Sequence, residues 1–162
     1  MGYSIMVFEP SAAPSDRAGF IAWYQRQTDW QQGLAYDDHE ATTPRLRAFF
    51  LDMIKTFPPL NGPLAADEPD DGDPHLTEYN IGAEFIYVSG AWSAVGAGTE
   101  HALDLAAAHG LGVFDTTSDE VSLPAAGGMA HAFSTAPGVL EKELAPFRKA
   151  VDAIRRLFGK GS

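Results

Sequence analysis

Five histidines and two groups of carboxylates are the side chains that we consider first for metal binding and catalysis. The chain contains no cysteine. Without cysteine there is no thiolate zinc site, no disulfide and no cysteine nucleophile. The histidines are scattered, at positions 39, 75, 101, 109 and 131. His39-Glu40 lacks the second histidine of the motif H-E-x-x-H, and His101 and His109 are two helical turns apart, too far to share one metal ion. We therefore predict no metal site and no cofactor.

Motifs that would identify an enzyme are absent from the sequence. It has neither the Gly-x-x-x-x-Gly-Lys-Ser/Thr phosphate loop nor the Gly-x-Ser-x-Gly nucleophile elbow. No catalytic residue is predicted, and a non-enzymatic protein is the favoured interpretation.

An acidic segment rich in Asp, Pro and Gly covers residues 64–75 and is predicted to be an exposed loop. Its acidic residues are Asp67, Glu68, Asp70, Asp71 and Asp73. Read as a calcium loop that starts at Asp67, the segment places Gly72 at the sixth position, but Pro69 stands at the third position, where a ligand is required. A solvated acidic loop is therefore favoured over a calcium site.

A second acidic group, Asp37-Asp38-His39-Glu40, lies between two predicted helices. If its loop met the loop that holds His75, the side chains of Asp38, His39 and His75 would form a polar pocket. An Asx-type turn explains the same residues without that contact. A small enzyme or ligand-binding domain that uses this pocket is the alternative interpretation.

The charge of the chain is distributed unevenly, with a net value of -11. No Lys or Arg occurs between Lys55 and Lys142, whereas residues 56–141 contain 13 Asp and Glu residues. Binding to nucleic acid requires clustered cations, so we expect that this chain does not bind nucleic acid. An acidic surface attracts a basic protein partner and accelerates its association, although solubility is the common reason for such a surface.

The aromatic residues near the predicted first helix exceed what one apolar stripe buries. Trp23 is predicted to lie in the core, whereas Trp30 and Tyr36, at the end of this element, are candidates for an exposed contact surface. Tyr and Trp are enriched in protein interfaces.

The pattern of apolar residues, caps and breakers predicts alternating strands and helices. The predicted strands cover residues 3–8, 77–81, 84–89, 111–115 and 121–123, and the predicted helices cover about residues 14–30, 44–57, 93–109 and 146–159. Thr43 and Ser93 are the predicted N-caps of the second and third helices. The order predicts an α+β fold in which helices cover one face of a mostly antiparallel sheet, as a ferredoxin-like variant with an extra N-terminal helix and a C-terminal helix.

We predict an α+β domain over residues 1–123 and, over residues 124–162, a Gly-rich irregular connection and an amphipathic basic helix packed on the same domain. The sequence shows no apolar run of membrane-spanning length and no signal-peptide pattern at its start. We therefore expect a cytoplasmic protein that does not associate with membranes.

Six short segments form a chain of motifs: YSIMVFEP at residues 3–10, TPRLRAFF at 43–50, TFPPLNGP at 56–63, YNIG at 79–82, AWS at 91–93 and HGLGVFD at 109–115. They resemble segments of a family of small bacterial cytosolic proteins of unassigned activity. The resemblance covers residues 1–123 and implies no activity directly. Small acidic proteins of this kind are similar, at the level of class, to immunity proteins of bacterial toxin systems.

These observations together predict a non-enzymatic protein-binding protein, in its narrower form an immunity-type inhibitor of a bacterial toxin. The partner is expected to be a basic protein. Electrostatic steering accelerates its association with this chain, which then occludes the partner's site. The predicted contact residues are Asp67, Glu68, Asp70, Asp71, Asp73, Trp30 and Tyr36.

Overall fold

A computed structural model describes residues 2–29 and 36–136, which form one six-stranded sheet with three α-helices. The elements are β1 (Gly2–Phe8), α1 (Arg17–Gln27), α2 (Pro44–Met53), β2 (Thr77–Ile81), β3 (Phe85–Ala91), α3 (Val95–His109), β4 (Gly112–Asp115), β5 (Glu120–Ala125) and β6 (Gly128–Ser134), with a 3-10 helix (Trp92–Ala94) before α3. The predicted α+β class and antiparallel sheet are confirmed.

The strands lie in the order β2-β3-β1-β4-β5-β6, and every neighbouring pair is antiparallel. β1 lies at the centre, where Ile5 pairs with Val88 of β3 and with Asp115 of β4. Ile5 and Val7 belong to one hydrophobic cluster, and Met6 and Phe8 belong to the other. Because successive side chains of a strand point to opposite faces, both faces of β1 are buried.

The helices cover both faces of the sheet, so the prediction that they share one face is wrong. On one face, Phe49 of α2 and Ala102 of α3 pack with Ile5 and Val7. On the other face, Phe20 of α1 lies with its ring centroid 5.4 Å from that of Phe8. The apolar stripe of a helix shows that one side is buried but does not show which face of the sheet receives it.

Local signals place the helix ends with one exception. The side chain of Asp16 accepts a hydrogen bond from Gly19 N at the start of α1, and Thr43 caps α2 as predicted. Ser93 does not cap α3, because it lies in the 3-10 helix and Ala94 occupies the N-cap position. Gly110 ends α3 with a φ of 69°, a left-handed conformation that suits glycine.

The segment predicted to be irregular over 125–138 contains β6, so that prediction is wrong for Gly128–Ser134. The boundary proposed at residue 123 falls inside β5, and β6 continues the same sheet. The predicted C-terminal helix lies outside the described residues, as does Trp30, and the division into 1–123 and 124–162 stays a prediction.

The outer edge of β2 is covered by the chain that precedes it. Thr77 N donates to Pro58 O at 3.0 Å, and Ile81 N donates to Tyr36 O at 2.7 Å. Between them, the side chain of Asn61 accepts from Tyr79 N at 2.9 Å and donates to Tyr79 O at 2.8 Å. Because an open edge invites pairing with other chains, this cover protects β2 from that pairing.

Asp52 links the C-terminal part of α2 to the last turn of α3. Its carboxylate accepts from Lys55 Nζ at 2.8 Å, and its Oδ2 lies 2.8 Å from His109 Nε2. The hydrogen bond from Lys55 and, second, the hydrogen bond with His109 lower the pKa of Asp52.

We expect Asp52→Asn to destabilise the protein at neutral pH and to reduce the dependence of its stability on acid pH. Because the pKa of Asp52 is lower in the folded state, its contribution is present above the unfolded pKa and is lost as pH falls through the folded pKa. Urea unfolding of both proteins from pH 7 to pH 2 measures this. The difference between them should shrink below about pH 4, and a difference that is independent of pH contradicts the expectation.

Candidate ligand-binding cleft

A cleft with a volume of about 260 Å³ lies between α3 and two segments on the opposite side. Ala97, Glu100, His101 and Asp104 line it from α3, and Phe57 and His75 line it from the segments that follow α2 and precede β2. We call it the two-histidine cleft. Because it combines two imidazoles, two carboxylates and an aromatic ring in one concavity, it is the candidate functional site.

The α3 wall of the cleft is one face of the helix. Its four residues follow the spacing i, i+3, i+4 and i+7, which places them on the same side. Ala102 and Ala106, which are fully buried, belong to the opposite side and pack into the core. The hydrophobic packing of α3 therefore fixes the direction in which the cleft residues point.

Glu100 and Asp104 place two negative charges one helical turn apart. Like charges at this spacing destabilise a helix by a few tenths of a kcal/mol, about the amount that opposite charges stabilise it. Among residues 2–29 and 36–136, neither carboxylate has an ion-pair or hydrogen-bond partner. The pair therefore offers an unneutralised negative site at the cleft.

Phe57 lines the cleft opposite α3, and burial and a hydrogen bond to its carbonyl oxygen fix its position. It is 1% exposed, and its carbonyl oxygen accepts a hydrogen bond of 2.7 Å from the hydroxyl of Tyr79. Burial, first, and the nearby Tyr3, second, raise the pKa of Tyr79, so this hydroxyl keeps its proton and remains a donor at physiological pH. The ring centroid of Phe57 lies 5.0 Å from that of His75 and 5.6 Å from that of His101.

The two histidines differ in their hydrogen bonding. His75 N donates to Asp73 Oδ1 at 2.9 Å, and His75 Nδ1 lies 3.7 Å from the same oxygen. In contrast, His101 Nε2 is buried and has no hydrogen-bond partner within the described part of the chain. A buried polar atom without a partner is costly, and His101 Nε2 is one of several such atoms in the described part of the chain.

The acidic loop is continuous with the cleft through Asp73 and His75. Within this loop, Asp70 Oδ1 accepts from Gly72 N at 3.0 Å, and Asp73 N donates to Asp70 O at 2.9 Å. The carboxylates of the loop and the cleft together form what we call the acidic surface: Asp67, Glu68, Asp70, Asp71, Asp73, Glu100 and Asp104. The loop was predicted from the sequence, whereas Glu100, His101 and Asp104 were not.

The predicted group of Asp38, His39 and His75 does not form the wall of this cleft, because only His75 lines it. Asp38 Oδ1 accepts from Glu40 N at 2.9 Å, which is the Asx turn that the sequence suggested. The His39 ring lies 5.4 Å from that of Phe50, and its Nδ1 is buried without a partner among the described residues. The structure therefore does not bring Asp38, His39 and His75 together at the two-histidine cleft.

Of the two aromatic residues predicted to form an exposed contact surface, Tyr36 is described by the structure. It lies beside the end of β2 that is farther from His75. Its carbonyl oxygen accepts from Ile81, the last residue of the strand. Its side chain is half-buried. The structure therefore does not group Tyr36 with the cleft residues.

Comparison with protein-family models, with curated protein sequences and with solved structures finds no match to this chain. The family resemblance of its segments thus stays a prediction. Over the ranges that the structure describes, no three His, Asp or Glu side chains are grouped to hold a metal ion. Within the same ranges, each helix is too short or too polar to cross a bilayer.

Another cavity, of about 180 Å³, lies beside α1 and is lined by polar side chains, including those of Tyr24 and Asp119, as well as by apolar ones. The hydroxyl of Tyr24 lies 3.5 Å from that of Tyr87. Burial, first, and the hydrogen bond with Tyr87, second, raise the pKa of Tyr24. The hydroxyl of Tyr24 therefore keeps its proton at physiological pH.

Proposed function

We propose that this chain is a non-enzymatic binding protein that contacts a basic protein partner through the acidic surface. The observation that carries the proposal is the continuity between the exposed acidic loop and the cleft, through Asp73 and His75. An immunity-type inhibitor, which occludes the active surface of a basic toxin, is the narrower form of the same proposal.

Electrostatic attraction supplies the first step of the proposed binding. Asp67, Glu68, Asp70 and Asp71 are exposed, and within the described ranges none of them is part of an ion pair. Such a field speeds the approach of an oppositely charged protein and weakens as salt shortens the screening length to about 10 Å at 0.1 M. The same negative field disfavours nucleic acid, which we do not propose as a partner.

A ferredoxin-like core is the fold that we propose to carry this surface. The strand order β2-β3-β1-β4 joined with α2 and α3 as the crossover helices supports it, with α1, β5 and β6 as additions. The absence of cysteine is compatible with the expected cytoplasmic location.

Replacing the five loop acids by serine should lower the rate of partner association. The variant changes Asp67, Glu68, Asp70, Asp71 and Asp73. Because the attraction is long-ranged, we expect roughly a tenfold slower association at low salt and a flatter dependence of the rate on ionic strength. The partner is first captured from a lysate of the native host with the tagged full chain, and the rates are then measured by stopped-flow fluorescence.

A charge-matched variant controls for the overall change in net charge. It replaces five exposed acids outside the acidic surface by serine: Asp29, Asp37, Glu40, Glu78 and Glu84. This variant should keep most of the association rate. Equal rates for the loop variant and the unmodified chain at low salt would contradict the proposal, as would equal losses in both variants.

A further inference from the structure

We infer that the two-histidine cleft is the socket for one arginine side chain of the basic partner. This inference rests on the proposed function and adds the chemical group that the surface recognises. It follows from the charge and the size of the cleft and from the exposed imidazole of His75 in its wall.

The carboxylates of the cleft select a cation. Glu100 and Asp104 have no partner of opposite charge within the described ranges, and the lining residues include no Lys or Arg. Side chains four residues apart on a helix are neighbours, with Cβ atoms about 5–6 Å apart. A guanidinium group carries five N–H donors in a planar fork and can reach two such carboxylates at once.

The volume of the cleft suits a single side chain. At about 260 Å³ it is smaller than the cavities of roughly 300–1,000 Å³ that hold drug-sized ligands. One long side chain that projects from a protein surface fills such a space without requiring the rest of the partner to enter.

The aromatic groups favour arginine over lysine. The imidazole of His75, which is 46% exposed, offers a planar ring at the cleft, and the buried Phe57 supports it with its ring centroid 5.0 Å away. A guanidinium plane stacks on such a ring, whereas an ammonium group is a compact and strongly hydrated charge.

A titration with small analogues tests the inference on the full chain without the partner. The probes are N-acetyl-arginine methylamide, its neutral isostere N-acetyl-citrulline methylamide, and N-acetyl-lysine methylamide with a free side-chain amine. Proton–nitrogen NMR spectra should show shifts at residues 97–104 and His75 with the arginine probe, with a dissociation constant of roughly 1–10 mM. Equal shifts with citrulline, tighter binding of lysine, or shifts located elsewhere would overturn the inference.

Glu100→Gln/Asp104→Asn should weaken binding of the arginine probe at least fivefold. The matched control is Glu40→Gln/Glu84→Gln, which makes the same change in charge near the opposite end of β2, where Thr42 Oγ1 donates to Ala83 O at 3.2 Å. The control should bind the probe as the unmodified chain does. Thermal unfolding of both variants shows whether each is folded, and equal weakening in both would overturn the inference.

The loop variant separates the failure of this inference from the failure of the proposed function. Serine at the five loop positions leaves Glu100 and Asp104 in place, so binding of the arginine probe should change less than threefold while partner association at low salt becomes roughly tenfold slower. If the probe fails to bind but partner association still depends on the loop acids, the arginine socket is overturned and the proposed function stands. If the probe binds but association ignores the loop acids, the proposed function fails and the cleft remains a guanidinium site.

Discussion

Gly98→Ala is expected to destabilise the protein by about 2–3 kcal/mol, although alanine is the better helix former. A Cβ atom at Gly98 would lie 1.8 Å from the hydroxyl oxygen of Tyr3 and 2.6 Å from its Cζ. Tyr3 is 1% exposed, and a Cβ at Gly90 on its other side would lie 2.7 Å from the same ring. Because the ring is confined between β3 and α3, it has little room to yield. Urea unfolding monitored by circular dichroism measures the change.

Gly96→Ala is the matched control for this prediction. Gly96 lies in the same helix, and a Cβ atom there would meet nothing within 4 Å among the described residues. This substitution should stabilise the protein by about 0.5–1 kcal/mol, which is the ordinary gain of alanine over glycine in a helix. If both variants shift the stability in the same direction, the confinement of Tyr3 is not the dominant effect at Gly98.

Tyr3→Phe tests the same contact from the strand side. The hydroxyl of Tyr3 is buried without a hydrogen-bond partner among the described residues, so its removal alone should cost little. When Gly98→Ala is combined with Tyr3→Phe, it should be less damaging, because the atom closest to the new Cβ is gone. A double-mutant cycle measures this coupling, and additive effects would argue against direct contact.

The elements that were predicted well from the sequence are those with complete local signals. Thr43 and Pro44 begin α2, Gly110 ends α3, and the hairpin of β2 and β3 surrounds a glycine turn at Gly82. In each case, caps or breakers and the apolar period agree within a few residues of sequence. Agreement between these signals is what makes such an element predictable.

The elements that were missed depend on contacts between distant residues or on a weaker turn signal. β6 is poor in strong strand formers, and pairing with β5 through the two-residue turn at Ala126 and Gly127 defines it. Gly127 has a φ of 86°, which is the conformation that this turn needs. The Gly127-Gly128 pair was therefore the signal in the sequence that indicated a turn and a sixth strand. The face occupied by α1 follows from rings such as Phe20 and Phe114, 5.4 Å apart, which are distant in sequence.

Only part of the candidate site could be predicted from the sequence. A run of acidic residues interrupted by Pro and Gly indicates an exposed loop. The loop, with His75 at its end, was therefore predicted from the sequence. Glu100, His101 and Asp104 form a polar stripe on a predicted helix, which was a usable signal, but a polar stripe is the ordinary outer face of a helix. Only the packing of Phe57 and His75 against that stripe turns it into a cleft, and this contact spans distant segments.

Glu9→Gln is expected to cost about 2 kcal/mol, because Glu9 joins the end of β1 to the start of α2. Glu9 is 6% exposed, and its carboxylate accepts from Thr43 Oγ1 at 2.6 Å and from Arg45 Nη2. The Thr43 hydroxyl thereby donates to Glu9 and keeps a lone pair for Leu46 N, 3.3 Å away, which it caps. An amide at position 9 turns a donor toward either Thr43 or Arg45 and disturbs the cap.

Two further variants show whether the buried carboxylate is the cause. Arg45 is half exposed and also donates to Gly110 O at 3.1 Å, so Arg45→Met should cost less, about 1 kcal/mol, because water can replace a half-exposed guanidinium. Glu84→Gln makes the same chemical change as Glu9→Gln at an exposed position and should stay within about 0.5 kcal/mol of the unmodified protein. Urea unfolding of the three variants ranks them. A Glu9→Gln variant as stable as Glu84→Gln would mean that the bonds of Glu9 only replace those it makes with water, and that Thr43 caps α2 without its help.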